Sequence, residues 1–444
     1  MDPEPGPGRR LMLPTADPYL PGHGDRSWSA LHYDLALDYT VEDNRLRGEA
    51  RITGRAEETL TRIVLDLAHL AVAKVTIDGK APAKYAVRGE RIVLTPRAPI
   101  AAGTEFTLML KYAGVPRPTV LAHHGDAGWE ELTDGVIVAG QPHGAPTWFP
   151  CNDRQDDKAS YTISVTTQPG YTVVANGVLA GRIRRGSGET WTYRQDEPMA
   201  PYLATVQIGR YDLTHLEPGE AKVPIALAAV PGTAWGDAFG AQAQIMDAFV
   251  TMFGPYPFPT YTVVITDDDL EIPLESQSLS TFGRNFLDPD WELNRLVAHE
   301  LAHQWFGNTV TAASMRDIWL HEGFACYAEW LWSEASGRAS AAAWAEHHHR
   351  SLAAKPRDLI LGEPGAADMF DDRVYKRGAL TLHALRRRIG EETFFALLPE
   401  WVRRHRGGTV TTADFRALAE ELSGQDLAEF FDAWVYCTAL PPRP

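Results

Sequence analysis

Cysteine is scarce in this chain of 444 residues, and other features that would define its class are missing as well. Its three cysteines, Cys151, Cys326 and Cys437, are odd in number and widely spaced, which argues against a disulfide framework and predicts reduced thiols. No stretch approaches the roughly eighteen consecutive apolar residues of a membrane span, and the N-terminus lacks the apolar core of a signal peptide. Basic residues number 42 against 58 acidic ones, and a net charge of -16 makes nucleic acid or an anionic membrane an unexpected partner. The sequence therefore predicts a soluble cytoplasmic protein.

The pattern of apolar residues changes near the middle of the chain. In the first half apolar and polar residues alternate, as around Leu35 and Leu37, and Asp78-Gly79 predicts a hairpin turn between two strands. In the second half alanine and leucine recur at three- and four-residue spacing, which is typical of helices. We therefore predict an α+β protein of two domains, with an antiparallel β-domain over residues 1–230 and a mainly helical domain over residues 231–444.

The segment His299-Glu300-Leu301-Ala302-His303 has the spacing of a zinc site. Residues four apart lie on the same face of a helix, so His299 and His303 can bind one metal ion. Eighteen residues lie between His303 and Glu322, which is the expected third ligand. Three protein ligands leave a fourth position for water, whose pKa then falls to about 7. The sequence thus predicts one catalytic Zn²⁺ per chain, against the alternative of a core helix with two hydrogen-bonded histidines.

Local signals predict where the helix that carries these histidines begins and ends. In Asp288-Pro289-Asp290 the first residue is expected to be the N-cap and the proline the first helical residue. Gly307 is expected just past the end of the helix. A second helix, which carries Glu322, is expected to pack beside the first.

The zinc segment and Glu322 resemble those of the gluzincin aminopeptidases, the family of aminopeptidase N and leukotriene hydrolase. Further segments resemble that family in the same order along the chain, from about Asp17 to Pro441. These segments are residues 148–153 with Lys158, residues 254–259, residues 374–379 and residues 430–435. The resemblance implies a thermolysin-like catalytic domain. It also implies a short, bacterial-type member that lacks the C-terminal helical domain of larger relatives and has a more open cleft.

The resemblance also implies catalytic roles. Glu300 would be the general base that takes a proton from the attacking water and passes it to the leaving amine. Tyr375 would donate a hydrogen bond to the oxyanion. Glu329, seven residues after Glu322 on the same helical face, would orient His299 or His303 as an outer hydrogen-bond partner.

Substrate recognition is implied for Glu275, which would bind the free α-ammonium group of a peptide. The family has Gly-x-Met-Glu-Asn at this place, whereas this chain has Ile272-Pro273-Leu274-Glu275-Ser276. Pro273 removes one backbone donor, and the side chain of Ile272 narrows the approach of another chain. Gln141 lies where the family often has a second residue that contacts the amine. The predicted function is that of a zinc-dependent aminopeptidase that hydrolyses the N-terminal peptide bond by attack of zinc-bound water.

Two other functions remain open from the sequence. A zinc amidase or endopeptidase of a specialised pathway is compatible with the altered Ile272-Pro273 segment, and it would not require a free amine on its substrate. A non-catalytic, zinc-stabilised binding protein is disfavoured, because Glu300 and Tyr375 contribute little to metal retention. The sequence leaves open the preferred N-terminal residue, the physiological substrate and the oligomeric state.

Overall fold

The N-terminal half of the protein is built of β-strands, as the alternating sequence predicts. The computed structural model describes residues 16–121 and 123–443. The strands of this half are β1 (Trp28–Thr40), β2 (Arg45–Ala56), β3 (Ile63–Asp66), β4 (Ala71–Ile77), β5 (Lys84–Arg88), β6 (Arg91–Thr95), β7 (Glu105–Gly114), β8 (Thr119–Leu121), β9 (Gly125–Leu132), β10 (Gly135–Ala139), β11 (Ala159–Thr167), β12 (Thr172–Ala175), β13 (Val178–Arg185), β14 (Gly188–Met199) and β15 (Val206–Gly209).

Three sheets make up this half. The largest has the order β13-β14-β11-β1-β2-β7-β4, the second has the order β12-β15-β10-β9-β8, and the third has the order β3-β6-β5. Leu35 and Leu37 of β1 are fully buried in the apolar core between them, as their alternation predicts. The central pair β1 and β11 is parallel, whereas the other pairs of the largest sheet are antiparallel. Among the described strands β1–β15 the pairs of the other two sheets are antiparallel as well.

The predicted turn at Asp78-Gly79 forms, but it does not join two strands of one sheet. Both residues have positive φ (49° and 75°), and the backbone groups of Ile77 and Lys80 exchange hydrogen bonds of 2.8 and 3.0 Å across them. Beyond the turn the chain leaves this sheet, since β4 pairs with β7 whereas β5 pairs with β6. The local turn signal was correct, but it does not determine where the following strand pairs.

The second half combines a small sheet with helices. A sheet of order β16-β17-β18-β19 is antiparallel at β16 and parallel elsewhere, and β20 pairs with β21. Because β17 pairs with β18, this sheet links the two sides of residue 230, where the domain boundary is predicted. The elements are β16 (Asp212–Leu216), β17 (Ile225–Ala229), α1 (Gly236–Phe239), α2 (Gln242–Phe253), β18 (Tyr261–Ile265), β19 (Leu279–Phe282), α3 (Trp291–Ala302), β20 (Thr311–Ala312), α4 (Trp319–Ala335), α5 (Ala341–Ala353), α6 (Asp372–Ile389), α7 (Glu391–His405), β21 (Thr409–Val410), α8 (Thr412–Ser423) and α9 (Ala428–Phe431).

Helix α3 begins and ends at other residues than predicted. Its N-cap is Asp290, whose side chain accepts a hydrogen bond from the backbone N–H of Glu292, and Pro289 lies outside the helix. The carboxylate of Asp288 instead accepts from the backbone N–H of Asp290, in a turn that precedes the helix. At the other end the last regular helical residue is Ala302, so that the second zinc-site histidine occupies the C-cap.

Helices α4 and α6 approach each other closely at two glycines. A Cβ atom at Gly323 would lie 2.8 Å from the Cα atom of Gly378, and one at Gly378 would lie 2.7 Å from the Cα atom of Gly323. Any side chain at either residue would separate the helices. The contact brings the first turn of α4, which carries Glu322, beside the first turn of α6, which carries Tyr375.

Lys158 joins the β-domain to the segment that follows α3. Its ammonium group donates hydrogen bonds of 2.9, 3.0 and 3.2 Å to the backbone carbonyls of Asn308, Thr309 and Gly408. The side-chain stem is half-buried, and the three carbonyls enclose the charged group. Burial lowers the pKa of Lys158 to about 7.

The three cysteines are free, and two of them, Cys151 and Cys326, are buried. No helix in the described part of the chain combines the length and the apolar character that crossing a bilayer requires.

Candidate metal centre

The predicted metal ligands come together from two helices. His299 lies in the last turn of α3, His303 at its C-cap and Glu322 in the first turn of α4. All three side chains are buried. One ring nitrogen of each histidine and one carboxylate oxygen lie within 4.8 Å of one another, in a group that could hold a metal ion.

The distances fit a tetrahedral zinc ion. One oxygen of Glu322, Oε2, is 3.4 Å from Nε2 of His299 and 3.4 Å from Nε2 of His303. Two ligands that each lie about 2.0–2.1 Å from a tetrahedral Zn²⁺ are themselves roughly 3.3 Å apart. Two imidazole nitrogens and one carboxylate oxygen are also the donor set of many catalytic zinc sites. The residues present therefore fit the group that the sequence predicts.

The second nitrogen of each imidazole has a hydrogen-bond partner that fixes the ring. Nδ1 of His299 lies 2.7 Å from a carboxylate oxygen of Glu329, and Nδ1 of His303 lies 3.0 Å from the carbonyl oxygen of Phe306. Both acceptors require the proton on Nδ1, which leaves Nε2 of each ring as the atom that can bind a metal. The other oxygen of Glu329 accepts a 2.9 Å hydrogen bond from Arg295.

Electrostatics make the site suitable for a cation. Burial lowers the pKa of His303, but the neighbouring Glu322 outweighs it and raises that pKa to about 10. Burial likewise opposes ionisation of Glu329, yet Lys376 and Arg295 hold its pKa at about 2. In the absence of a metal the imidazoles thus act as the counter-ions of buried carboxylates. A bound divalent cation would displace their protons and take over that role.

Glu300 and Tyr375 lie beside the ligands without belonging to them. Glu300 is buried, and burial raises its pKa to about 8 against the opposing effect of His299. The ring of Tyr375 stacks on that of His299, with centroids 6.0 Å apart. Burial, followed by the charges of Glu322 and other nearby carboxylates, raises the pKa of Tyr375 well above its ordinary value, so its hydroxyl keeps its proton.

Glu275 follows a short extended segment at the edge of the catalytic sheet. Leu274 exchanges backbone hydrogen bonds of 2.9 and 3.0 Å with Thr281 of β19. Because successive residues of a strand direct their backbone groups to opposite sides, those of Pro273 and Glu275 point away from β19. Pro273 has no N–H to offer there. The amide group of Asn308 donates a hydrogen bond of 2.9 Å to the backbone carbonyl of Glu275 and so holds the end of the segment.

The side chain of Glu275 is buried near the metal ligands. Burial raises its pKa, and the charges of His303 and His299 lower it, which places the carboxylate within electrostatic range of both imidazoles. No arginine or lysine in the described part of the chain forms an ion pair with it. Arginine and lysine thus supply no counter-charge to it, and the cationic groups that act on it are the imidazoles of the metal ligands.

Gln141 follows β10 in the β-domain. Its neighbour Gly140 packs against the backbone carbonyl of Tyr202, and Tyr202 in turn feels the charges of Glu275 and Glu322. Nε2 of Gln141 is buried and lacks a hydrogen-bond partner among the described residues. Among the described residues no hydrogen bond or ion pair joins it to a metal ligand, and its role in binding the amine stays a prediction.

Some supporting residues were not predicted from the sequence. Arg295 could have been, because it lies four residues before His299 on the same face of α3. Asn308 and Gln304 could not, because their side chains act on backbone groups of residues 275–278, which no spacing in the sequence indicates. His321, next to the third ligand, accepts a 2.7 Å hydrogen bond from the backbone N–H of Ala312 through Nε2 and is not a ligand.

Comparison with known protein families agrees with this geometry. The family model described as "Peptidase M1 N-terminal domain" matches residues 29–203, and that described as "Peptidase family M1 domain" matches residues 238–434. Aminopeptidase 2 of Candida albicans is 24% identical over 438 residues, which cover 93% of this chain and 47% of that protein. Endoplasmic reticulum aminopeptidase 1 of Homo sapiens is 24% identical over 417 residues, which cover 84% and 43%. The chain thus spans about half the length of these relatives.

Solved structures match over nearly the whole chain. The crystal structure of an M1 zinc metallopeptidase from Deinococcus radiodurans is 30% identical with a TM-score of 0.89, and the match covers 97% of this chain and 99% of that one. Structures of a glutamate-to-alanine variant match equally well, including one described as two-domain and bound to L-arginine and one bound to a Tyr-Ser-Ala substrate. The chain therefore belongs to peptidase family M1 and shares the fold of that family's two-domain zinc metallopeptidases.

Proposed function

We propose that the protein is a zinc-dependent aminopeptidase that removes the N-terminal residue of peptides. The observation that carries this proposal is the buried carboxylate of Glu275, which lies near the metal ligands and forms no ion pair with arginine or lysine among the described residues. A buried charge without a partner is costly, and an α-ammonium group would supply that partner. Its distance from the metal ligands then determines which peptide bond reaches the metal.

The side chains around the metal ligands can perform the remaining steps. Zinc, when bound to His299, His303 and Glu322, would lower the pKa of water and polarise the substrate carbonyl. Glu300 takes a proton from the attacking water and transfers it to the leaving amine. Tyr375, which keeps its proton at neutral pH, donates a hydrogen bond to the oxygen of the attacked carbonyl.

Two further side chains complete the proposed site. Glu329 holds the imidazole of His299 in the orientation and tautomer that a metal requires. Gln141, whose buried amide nitrogen has no partner within the described ranges, is available as a second donor near the substrate's first residue. The related proteins support this proposal, because aminopeptidases are among the relatives and one neighbouring structure is described as bound to a tripeptide substrate.

One observation favours a second candidate, a zinc amidase or endopeptidase. Ile272 is 61% exposed at the edge of the catalytic sheet, and Pro273 beside it has no backbone donor. An incoming peptide chain therefore has fewer backbone partners along this edge than a regular strand would offer. Such an enzyme would not need a free amine on its substrate.

We further propose that the protein works in a reducing compartment, the cytoplasm. Three free cysteines, one of them the exposed Cys437, support this location.

Product analysis tests the proposed activity. Purified protein is incubated with an unmodified peptide of mixed sequence, and the products are followed by mass spectrometry. An aminopeptidase releases single residues stepwise from the N-terminus, stops when a chelator removes the metal, and resumes when Zn²⁺ is restored. Internal cleavage would support the endopeptidase, and absence of any hydrolysis by zinc-loaded protein would contradict both enzymes.

A further inference from the structure

A second group of metal-binding side chains lies in the β-domain, outside the catalytic centre. His23 comes from the N-terminal segment, here residues 16–27 before β1, His143 from the loop after β10, and Asp153 from the loop before β11. One ring nitrogen of each histidine and one carboxylate oxygen of Asp153 lie within 4.8 Å of one another. Nδ1 of His23 is 2.8 Å from Oδ2 of Asp153, and the two imidazole centroids are 4.0 Å apart.

One ring nitrogen of this group lacks a hydrogen-bond partner among the described residues. Nδ1 of His143 is buried and has no partner among the residues that the structure describes. A buried ring nitrogen without a hydrogen-bond partner is uncommon in proteins. A metal ion in the centre of the group would satisfy it.

The carboxylate of Asp153 is the negative charge that a cation at this site would meet. The nearby carboxylate of Asp66 is paired with Arg91 at 3.0 Å and accepts from the backbone N–H groups of Gly24 and Asp153. The charge of Asp66 is therefore already balanced. The carboxylate of Asp153 forms an ion pair with His23, and His23 carries a charge only when it is protonated. A metal that displaced that proton would meet one uncompensated carboxylate and two imidazoles.

We propose that His23, His143 and Asp153 form a second zinc site, which ties the N-terminal segment to the loop that presents Gln141. Two imidazoles and a carboxylate suit Zn²⁺. The role is structural, because the ligands come from three separate segments and a metal between them crosslinks those segments. The proposal does not depend on the peptidase activity.

The geometry also indicates that this site binds zinc more weakly than the catalytic centre. The separation of 2.8 Å between His23 and Asp153 is a hydrogen-bond distance, shorter than the 3.4 Å found between the ligands of the catalytic centre, so the side chains must move apart to admit an ion. The side chain of His23 is 16% exposed, and His23 and Asp153 line a shallow opening at the surface. An ion can therefore enter from solvent.

Zinc counting at controlled free Zn²⁺ tests this site. The holoenzyme, with its first zinc bound, is dialysed against buffers of rising free Zn²⁺, and zinc per chain is measured by elemental analysis. The test variants are His23→Gln and His143→Gln, which keep a polar side chain but cannot replace imidazole. The control is His347→Gln, at the exposed histidine of residues 347–349 in α5, where added zinc could also collect. Retention of the zinc in the catalytic centre shows that each variant is folded.

The proposal predicts a second equivalent of zinc in the wild-type protein and in His347→Gln. Each test variant should lose that equivalent, with an affinity lowered by more than the roughly 10–100-fold that loss of an outer hydrogen-bond partner causes. The second equivalent should also raise the unfolding temperature of the wild-type protein but not that of His143→Gln. A wild-type protein that never exceeds one zinc, or a second equivalent that survives in His23→Gln and His143→Gln, would overturn the proposal. Loss of that equivalent in His347→Gln would assign it to residues 347–349 instead.

Discussion

Glu329 lies 2.7 Å from Nδ1 of His299, across the interface between α4 and α3. This hydrogen bond links α4, which supplies the third metal ligand, to α3, which supplies the first two. Arg295, one turn before His299, binds the other oxygen of the same carboxylate at 2.9 Å. The orientation of a metal ligand thus depends on a buried ion pair that itself does not touch the metal.

Glu329→Gln should weaken zinc binding. The amide cannot accept the Nδ1 proton as a charged partner, and Arg295 loses its counter-ion, so the affinity for zinc should fall roughly 10–100-fold. Competition with a chelator of known affinity measures it. Glu292→Gln is the matched control, because Glu292 also pairs with Arg295, at 3.6 Å, but its side chain is 73% exposed. If the two variants bind zinc equally, Glu329 has no positioning role.

Glu300→Gln should separate catalysis from metal binding. The side chain keeps its size and the three ligands are unchanged, so one tightly bound zinc per chain should remain. Turnover should fall by at least roughly a hundredfold, because an amide cannot take a proton from water. Steady-state kinetics beside elemental analysis provide the measurement. Turnover within a few-fold of the wild-type value would refute the role of Glu300 as the base.

Tyr375→Phe should also retain zinc while losing turnover. The substitution removes only the hydroxyl group, which is the proposed donor to the oxygen of the attacked carbonyl. Loss of one such donor lowers turnover by about a hundred- to a thousandfold. The unfolding temperature checks that the contact between α4 and α6 is intact. A variant with normal turnover would show that Tyr375 has only a packing role.

The sequence predicted that His299, His303 and Glu322 lie together better than it predicted the structure around them. Four-residue spacing on a helix is a local property, so the pairing of His299 and His303 could be inferred without knowing the fold. The end of α3 could not, because it depends on contacts that His303 makes beyond the helix. The parallel pairing of β1 with β11 joins strands more than a hundred residues apart, which alternation alone does not specify.

Lys158 should make stability depend on pH. Burial lowers its pKa from 10.5 to about 7 in the folded protein, whereas the unfolded chain keeps the ordinary value. Between these values the unfolded state binds more protons, so the free energy of unfolding should rise with pH, by at most about 1.4 kcal/mol for each unit. The contribution is complete above pH 10.5 and is lost as pH falls through 7.

Lys158→Met removes this titration and keeps an unbranched side chain of similar length. Urea unfolding from pH 7 to pH 10 should therefore show wild-type stability rising relative to the variant, since all other titrating groups are shared. Parallel stability profiles would mean that the ammonium group keeps its ordinary pKa within its three carbonyl contacts.

The role of Glu275 is the central claim, because it separates an aminopeptidase from other zinc hydrolases. If its carboxylate pairs with the substrate's α-ammonium group, Glu275→Ala loses roughly 2–4 kcal/mol of that interaction. The value of kcat/KM should fall correspondingly by about one and a half to three orders of magnitude. Acetylating the substrate's N-terminus removes the same charge from the other partner, so the two losses should not add.

The most direct measurement is kcat/KM for one peptide, free and N-acetylated, with wild-type protein and with Glu275→Ala. The account predicts that wild-type protein strongly prefers the free peptide and that Glu275→Ala loses most of this preference while still binding zinc. Equal cleavage of both peptides by the wild-type protein would contradict the account and favour the amidase or endopeptidase.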